Sequence, residues 1–277
     1  MSFSRIAGSL MRHAVMLALS IVALLPLYFM AVNALKTEVG YAGSPLGLPD
    51  PATIENFARV LGQSSIARWI FNSGVLTISS VGLALLVSSL AAYAFARIPF
   101  PGADVLFRMV SALMAVPVIA VIIPLFVFMV SVRLVNTFPA AILVYVGFLI
   151  PYKVFFLTAF FRQLPASILE AAILDGCGHL ASLRRVVLPL SAPALITMAV
   201  VSIIWVWNEL LIALILLQSD SSRTLMVGLT VFQDEFRVNV PVTMAGLVIS
   251  VIPILFVYVF GIRYFVAGLL GGALHGE

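Results

Sequence analysis

Six apolar stretches, each long enough to cross a lipid bilayer as a helix, constrain this chain more than any other feature. They run from about residues 13 to 35, 70 to 96, 105 to 132, 138 to 161, 192 to 217 and 241 to 267. A hydrocarbon core about 30 Å thick is spanned by about 20 apolar residues in helical form. Charged residues make up 9% of the 277 positions and hydrophobic ones 63%, against roughly 25% charged in ordinary soluble domains. Too little polar surface remains to cover a water-soluble globule, which excludes a typical soluble enzyme and a disordered protein. A disulfide-stapled secreted domain is excluded too, because Cys177 is the one cysteine.

Prolines at 117, 124, 151 and 253 fall inside these stretches. They are costly in soluble helices but common in membrane spans, where neighbours re-satisfy the freed carbonyls, and they predict kinks. The first stretch follows Arg5 and Arg12; its length, with no small-residue cleavage site after it, predicts an uncleaved signal-anchor.

An even number of spans puts both termini on one side. That side holds Arg5, Arg12, Arg97, Arg108, Arg162, Arg184, Arg185 and Arg263, and the other holds Lys36, Arg59, Arg68, Arg133, Arg223 and Arg237. The second set is diluted over two long loops, so the bias predicts cytoplasmic termini in a bacterial-type inner membrane. The net charge of +4 comes from these flanks and points to no nucleic acid. Of the outer segments, 36–69 has turn residues and then a helix-like stretch from Thr53 to Leu61, and 218–240 is polar and mixed in charge. No loop is long enough to bury a core of its own.

Chemistry-bearing motifs are scarce. The sequence has no Gly-x-x-x-x-Gly-Lys-Ser/Thr loop for ATP. His13, His179 and His275 are far apart and lack metal-ligand spacing with Cys177 or a carboxylate, and no nucleophile elbow is present. Away from the ends of the spans only Lys153 and Glu209 are charged, and they lie on different ones. No catalytic residue, metal site or cofactor is therefore expected in this chain.

The connection between the fourth and fifth stretches is richer. Pro165 suits a first helical position, and Ser167 with Glu170 has capping-box spacing. Ile168, Leu169, Ala171, Ala172, Ile173 and Leu174 follow as an apolar face, and Asp175-Gly176 stops the helix. A second short helix from about His179 to Leu188 places Leu180, Leu183 and Val187 on one side and ends before Pro189. An apolar-faced helix outside the bilayer must bury that face against the membrane surface, its own bundle or a partner.

The run Glu170-Ala171-Ala172, three residues, Gly176, nine residues, then Val186-Val187-Leu188-Pro189 resembles the EAA motif of ABC importer permeases, E-A-A-x-x-x-G, nine residues, I-x-L-P. Val186 for Ile is the one departure. Other stretches are similar to the carbohydrate-uptake branch of that family, in particular its maltose-permease-like six-span subunit. These are Asn72-Ser73, Ala92 to Arg97 with Phe100-Pro101-Gly102, Trp207-Asn208-Glu209, Arg223-Thr224-Leu225, Val227-Gly228-Leu229 and Phe265 to Leu269. They cover most of residues 70–270.

The resemblance implies an all-α integral membrane fold with six transmembrane helices and a cytoplasmic coupling-helix loop between spans four and five. Its parts would be an N-terminal span and outer loop (1–69), an importer transmembrane domain (70–267) and a cytoplasmic tail (268–277). It further implies a second homologous permease subunit, a pair of ATPase subunits carrying ATP and Mg, an external or periplasmic solute-binding protein, and lipid around the spans. Glu170, Ala171, Ala172, Asp175, Gly176, Leu188 and Pro189 would couple to the ATPase, and the cargo would be a sugar or sugar-like solute. The EAA motif is shared across substrate classes, so a polyamine or another small solute is the alternative within the family. A stand-alone channel or ion-coupled carrier is the alternative outside it.

Polar groups inside the spans have two readings. A carboxylate at a helix centre costs about 2.5–3.5 kcal/mol on insertion scales, so Glu209 either lines a path or is satisfied by a neighbouring helix. Asn72, Trp205, Asn208 and Glu209 are the candidate translocation-path residues, with helix–helix hydrogen bonding or interface packing as their alternative use. Lys153 is expected to snorkel toward headgroups or pair locally. Cys177 and His179 are expected to fill space and to lie at the loop surface.

Overall fold

The computed structural model describes residues 3–62, 64–235 and 239–273, and all regular structure among them is helical. The chain forms two compact units, one of residues 1–66 and 229–252, the other of residues 67–228 and 253–277. The last tail residues, 274–277, lie outside the described residues, whereas 268–273 continue the final helix.

In the first unit α1 (Phe3–Ala34) exposes its apolar surface from Met11 to Leu27, as a helix facing lipid does. Its C-terminal carbonyls need outside donors, and Asn56 Nδ2 supplies them by donating to Ala34 O and Lys36 O at 2.8 Å. Lys36, buried, donates through Nζ to Ser44 O and Pro45 O, closing the loop around α2 (Glu38–Gly43). The helix expected near Thr53 to Leu61 is α3 (Glu55–Gly62), with Thr53 Oγ1 accepting from Glu55 N.

The span α4 (Ser64–Arg97) begins in the first unit and runs through the second. It is followed by α5 (Ala103–Ala112), which tightens into a 3-10 turn over Leu113–Ala115, by α6 (Val118–Ser131) and by α7 (Phe138–Gln163). Next come α8 (Ala166–Leu174), α9 (His179–Ser182), a π-helical turn over Leu183–Val187 and α10 (Leu188–Leu190). The chain ends with α11 (Ala192–Asn208), α12 (Leu211–Leu216), α13 (Leu225–Glu235) and α14 (Val240–Ala273). Four helices are single membrane spans by length and composition, and two bent pairs bring the number to six when each pair counts as one.

The third apolar stretch is thus not one helix. It bends by 98° between residues 103–115 and 118–131. Pro117 has no N–H and drives the residue before it out of the helical region, which is why Val116 is extended (ψ 110°). Pro124, Pro151 and Pro253 stay inside their helices. The fifth stretch also breaks: α11 stops at Asn208, and α12 starts two residues after Glu209.

Two apolar clusters hold the second unit. One joins Leu76 and Ala84 of α4, Ile122 and Met129 of α6, Ala141 and Tyr145 of α7, Val206 of α11 and Leu216 of α12. Fully buried Ala84 and Ala141 let backbones approach closely, the usual device where no water drives helices together. The other joins Ala92, Tyr93, Leu157, Phe161 and Met198 to Leu169, Leu183 and Val187 of the 164–191 connection.

Polar ties fix the ends. Arg97 Nη2 donates to Phe161 O and Leu164 O at the end of α7, and Arg162 of α7 returns a bond to Phe95 O of α4 at 3.3 Å. Asn136 adopts the left-handed region (φ 63°), which asparagine tolerates better than most residues. Its N donates to Leu216 O, and its Oδ1 accepts from Gln218 N and Ser219 N.

Candidate functional site

The connection after α7 is built as a rigid spur. Leu164 is extended, and α8 starts at Ala166 with Pro165 as its cap residue and no side-chain cap bond. The capping box expected from Ser167 and Glu170 is therefore not formed. Proline's fixed φ starts the helix early enough to put Ser167 inside its first turn. At the other end Gly176 takes φ +82°, Gly176 N donates to Ile173 O and Cys177 N to Ala172 O, both at 2.9 Å. That pair of bonds is the Schellman stop, which needs a residue free to be left-handed.

One narrow stripe of α8, Leu169 and Ala172, is buried, and Leu169 packs in the cluster with Phe161, Leu183 and Val187. The rest of the helix faces out: Glu170 and Ala171 are exposed, as are Ile168, Ile173 and Leu174, the last at 87%. Leu180 adds to this open apolar surface. His179 is exposed too, with its ring edge-on to Tyr93.

The motif's end, Leu188-Pro189, follows the π-helical turn. Leu188 N reaches back five residues to Leu183 O, and the wider turn absorbs the N–H that Pro189 lacks. The segment then turns by 77° into α11. Loop and span are thus one hydrogen-bonded piece, with Ser191 N on Val187 O and Leu195 N on Ser191 O, each at 2.9 Å.

Glu209 occupies the break between α11 and α12. Its Oε1 accepts from Leu211 N (2.8 Å) and Ile212 N (3.1 Å), and Oε2 accepts from Ile212 N and from the Tyr145 hydroxyl (2.6 Å). The carboxylate caps the open amides of α12, a position that the partial positive charge of a helix start also favours. Asn208 is exposed and donates to Ile204 O within its own helix. Asn72 is elsewhere in the second unit: its Nδ2 donates to Ser221 O and Arg223 O, and the neighbouring Ser73 Oγ accepts from Leu225 N. Sequence position alone does not separate these uses; the structure brings Trp205 and Glu209 together around Tyr145 and leaves Asn72 on the 221–225 segment.

Trp205 packs edge-on to Tyr145 and lines a cavity of about 710 Å³ bounded by the 3-10 turn after α5 and by α6, α7 and α11. Its wall is mainly aliphatic, with Tyr152, Ser202 and Trp205 as the polar-tipped members. Pro151 frees the carbonyl of Gly147, which also lines it. Lys153 does not snorkel: it is fully buried and donates through Nζ to Ser202 Oγ. Tyr145, Ser202 and Tyr152 carry no motif, and only their apolar helical context in the sequence hints at a buried role.

Residues 84–270 match the family model described as binding-protein-dependent transport system inner membrane component. The chain belongs to this family. An ABC transporter permease protein of Caldicellulosiruptor sp. (strain Rt8B.4) is 36% identical over 93% of this chain and 94% of its own length. The trehalose/maltose transport system permease protein of Thermococcus litoralis is 34% identical over 94% of each chain. The same fold is found in a crystal structure of a bacterial ABC transporter that imports the acidic polysaccharide alginate. The TM-score is 0.84 at 24% identity, covering 96% of this chain and 99% of that one. The protein is accordingly a multi-pass inner membrane component.

Proposed function

We propose that the chain is one permease half of an ATP-driven importer for a sugar or sugar-like solute. The observation that carries this is the 164–191 spur, with its apolar outer face on a base locked into the span bundle. An exposed leucine at 87% on a helix stop is costly in water and suits a cleft on another protein. Its occupant is the ATPase partner: Ala171 permits close approach, Glu170 accepts hydrogen bonds, and Leu174 fills an apolar depression. ATP and Mg bind on that partner, since this sequence has no phosphate-binding loop. The spur and both termini face the cytoplasm.

Closure of the ATPase pair displaces the spur, and the unbroken bonds from Val187 through Ser191 to Leu195 pass that displacement into α11. A two-state shift between inward-open and outward-open forms follows, with the second permease as the opposing wall. An external binding protein delivers the solute, a reading supported by the family's description as binding-protein-dependent. A sugar is favoured by the description of the Thermococcus litoralis relative and by Trp205 and Tyr152 on the cavity wall, because aromatic faces suit pyranose rings.

The test is gentle extraction of the tagged chain with its associated subunits, followed by paired ATPase and uptake assays. Co-purification of a P-loop ATPase and a second permease is expected, and Glu170→Lys should keep hydrolysis while losing uptake. Normal uptake by that variant, or a chain that purifies alone and conducts solute without ATP, would sink the reading.

A further inference from the structure

Lys153 has 0% exposure inside α7 and one hydrogen-bond partner among the described residues, Ser202 Oγ of α11. An ammonium carries three donors. No carboxylate among the described residues lies within ion-pair distance of it. Glu209, the other charged residue well inside the spans, is committed to Tyr145 and to the amides of Leu211 and Ile212. A buried cation without a counter-charge is among the costlier arrangements a membrane protein can hold, and such groups mark ligand or ion sites by default.

Ser202 connects this cation to open space. Its Oγ accepts from Lys153, so its own hydrogen is free to donate, and no acceptor for it is present among the described residues. The same side chain lines the 710 Å³ cavity with Tyr152 and Trp205. The remaining wall is largely aliphatic, so an anion there meets no competing protein acid and little screening.

We propose that Lys153 and Ser202 form a charge-selecting site for saccharides that carry an acidic group. A carboxylate, sulfonate or phosphate oxygen accepts the Ser202 hydroxyl hydrogen, which the ammonium behind it polarises, while the sugar ring lies against Trp205 or Tyr152. The ammonium thereby gains its counter-charge without leaving the helix interface. This proposal rests on the permease reading and names the substrate class of that path.

The test uses the purified complex with its associated subunits in lipid nanodiscs. Digalacturonate and its neutral dimethyl ester are titrated separately and followed by saturation-transfer NMR, which reads weak binding. The acid is expected to bind about tenfold tighter than the ester. Lys153→Gln and, as the milder change, Ser202→Ala should each reduce that ratio to below about twofold. Equal affinities in the unaltered complex, or a preference that survives both substitutions, overturn the charge-selecting site and leave the importer reading intact. A preparation with no P-loop ATPase overturns the importer reading and this inference with it.

Discussion

The Tyr145 hydroxyl donates to Glu209 Oε2 at 2.6 Å across 64 positions of sequence, linking the middle of α7 to the break between α11 and α12. Four hydrogen bonds thus converge on one carboxylate, three of them from the first amides of a six-residue helix. A helix that short has no stability of its own. Glu209→Ala is expected to destabilise the segment by about 1–3 kcal/mol, the scale of a lost cap with its charged hydrogen bonds. Hydrogen exchange over residues 209–217 should rise, with Tyr145→Phe giving a smaller rise in the same segment. Unchanged protection in Glu209→Ala would show that packing of Ile212 and Leu216 alone holds α12.

Gly176 offers a sharper test of the spur. Its φ of +82° suits glycine, and a Cβ there meets no neighbouring atom within 4 Å, so substitution acts through the backbone rather than through a clash. Gly176→Ala should cost about 1 kcal/mol of local strain. Gly176→Asn, better tolerated in the left-handed region, should cost less. If the stop orients the docking face, uptake per ATP hydrolysed falls in the order Gly, Asn, Ala, with membrane insertion unchanged. Equal coupling ratios in all three would show that the direction of the chain after α8 does not matter for transport.

The parts legible in the sequence are those set by local physics. Long apolar runs give the spans, and Asp175-Gly176 marks the helix stop because the left-handed residue is local chemistry. The breaks are harder to read. Pro117 and Pro124 lie in the same stretch, yet the chain bends by 98° at the first and stays helical through the second; which proline breaks depends on neighbours that can re-satisfy the carbonyl. The uses of Glu209 and Lys153 depend on Tyr145 and Ser202, each on another span, and no spacing rule connects them. The capping box at Ser167 fails for a local reason: Pro165 competes for the same helix start.

Gly228 is required by close approach rather than by conformation. A Cβ there would overlap Cε3 of Trp69, whose ring is buried. Gly228→Ala therefore forces either the indole or α13 to move, and overpacking of this kind costs about 1–3 kcal/mol. A lower unfolding temperature of the purified complex is expected. Trp69→Phe in the same chain removes the atoms nearest the added methyl and should restore part of the loss. If the double variant is no more stable than Gly228→Ala alone, the glycine answers to something other than the indole.

The arginines at the ends of α4 and α7 act as mutual caps. Arg97 donates to two carbonyls at the end of α7, and Arg162 donates to Phe95 O while its guanidinium lies 5.4 Å over the Phe107 ring. The two contributions are unequal: Arg97 is half-buried and serves both Leu164 O and Phe161 O, the latter shared with Leu164 N at 3.3 Å, whereas Arg162 is exposed and its one bond is long at 3.3 Å. Arg97→Ala should loosen the start of the spur at Leu164 and cost about 1–3 kcal/mol, because it removes the charged donor from Leu164 O and leaves Phe161 O with only the long bond from Leu164 N. Arg162→Ala should cost less than about 1 kcal/mol, the scale of an exposed cation over an aromatic ring. Limited proteolysis within residues 162–180 reads the difference directly, with faster cleavage in Arg97→Ala and near-normal cleavage in Arg162→Ala. The reverse order would assign the cap to the exposed arginine and shift the anchor of the spur from α4 to α5.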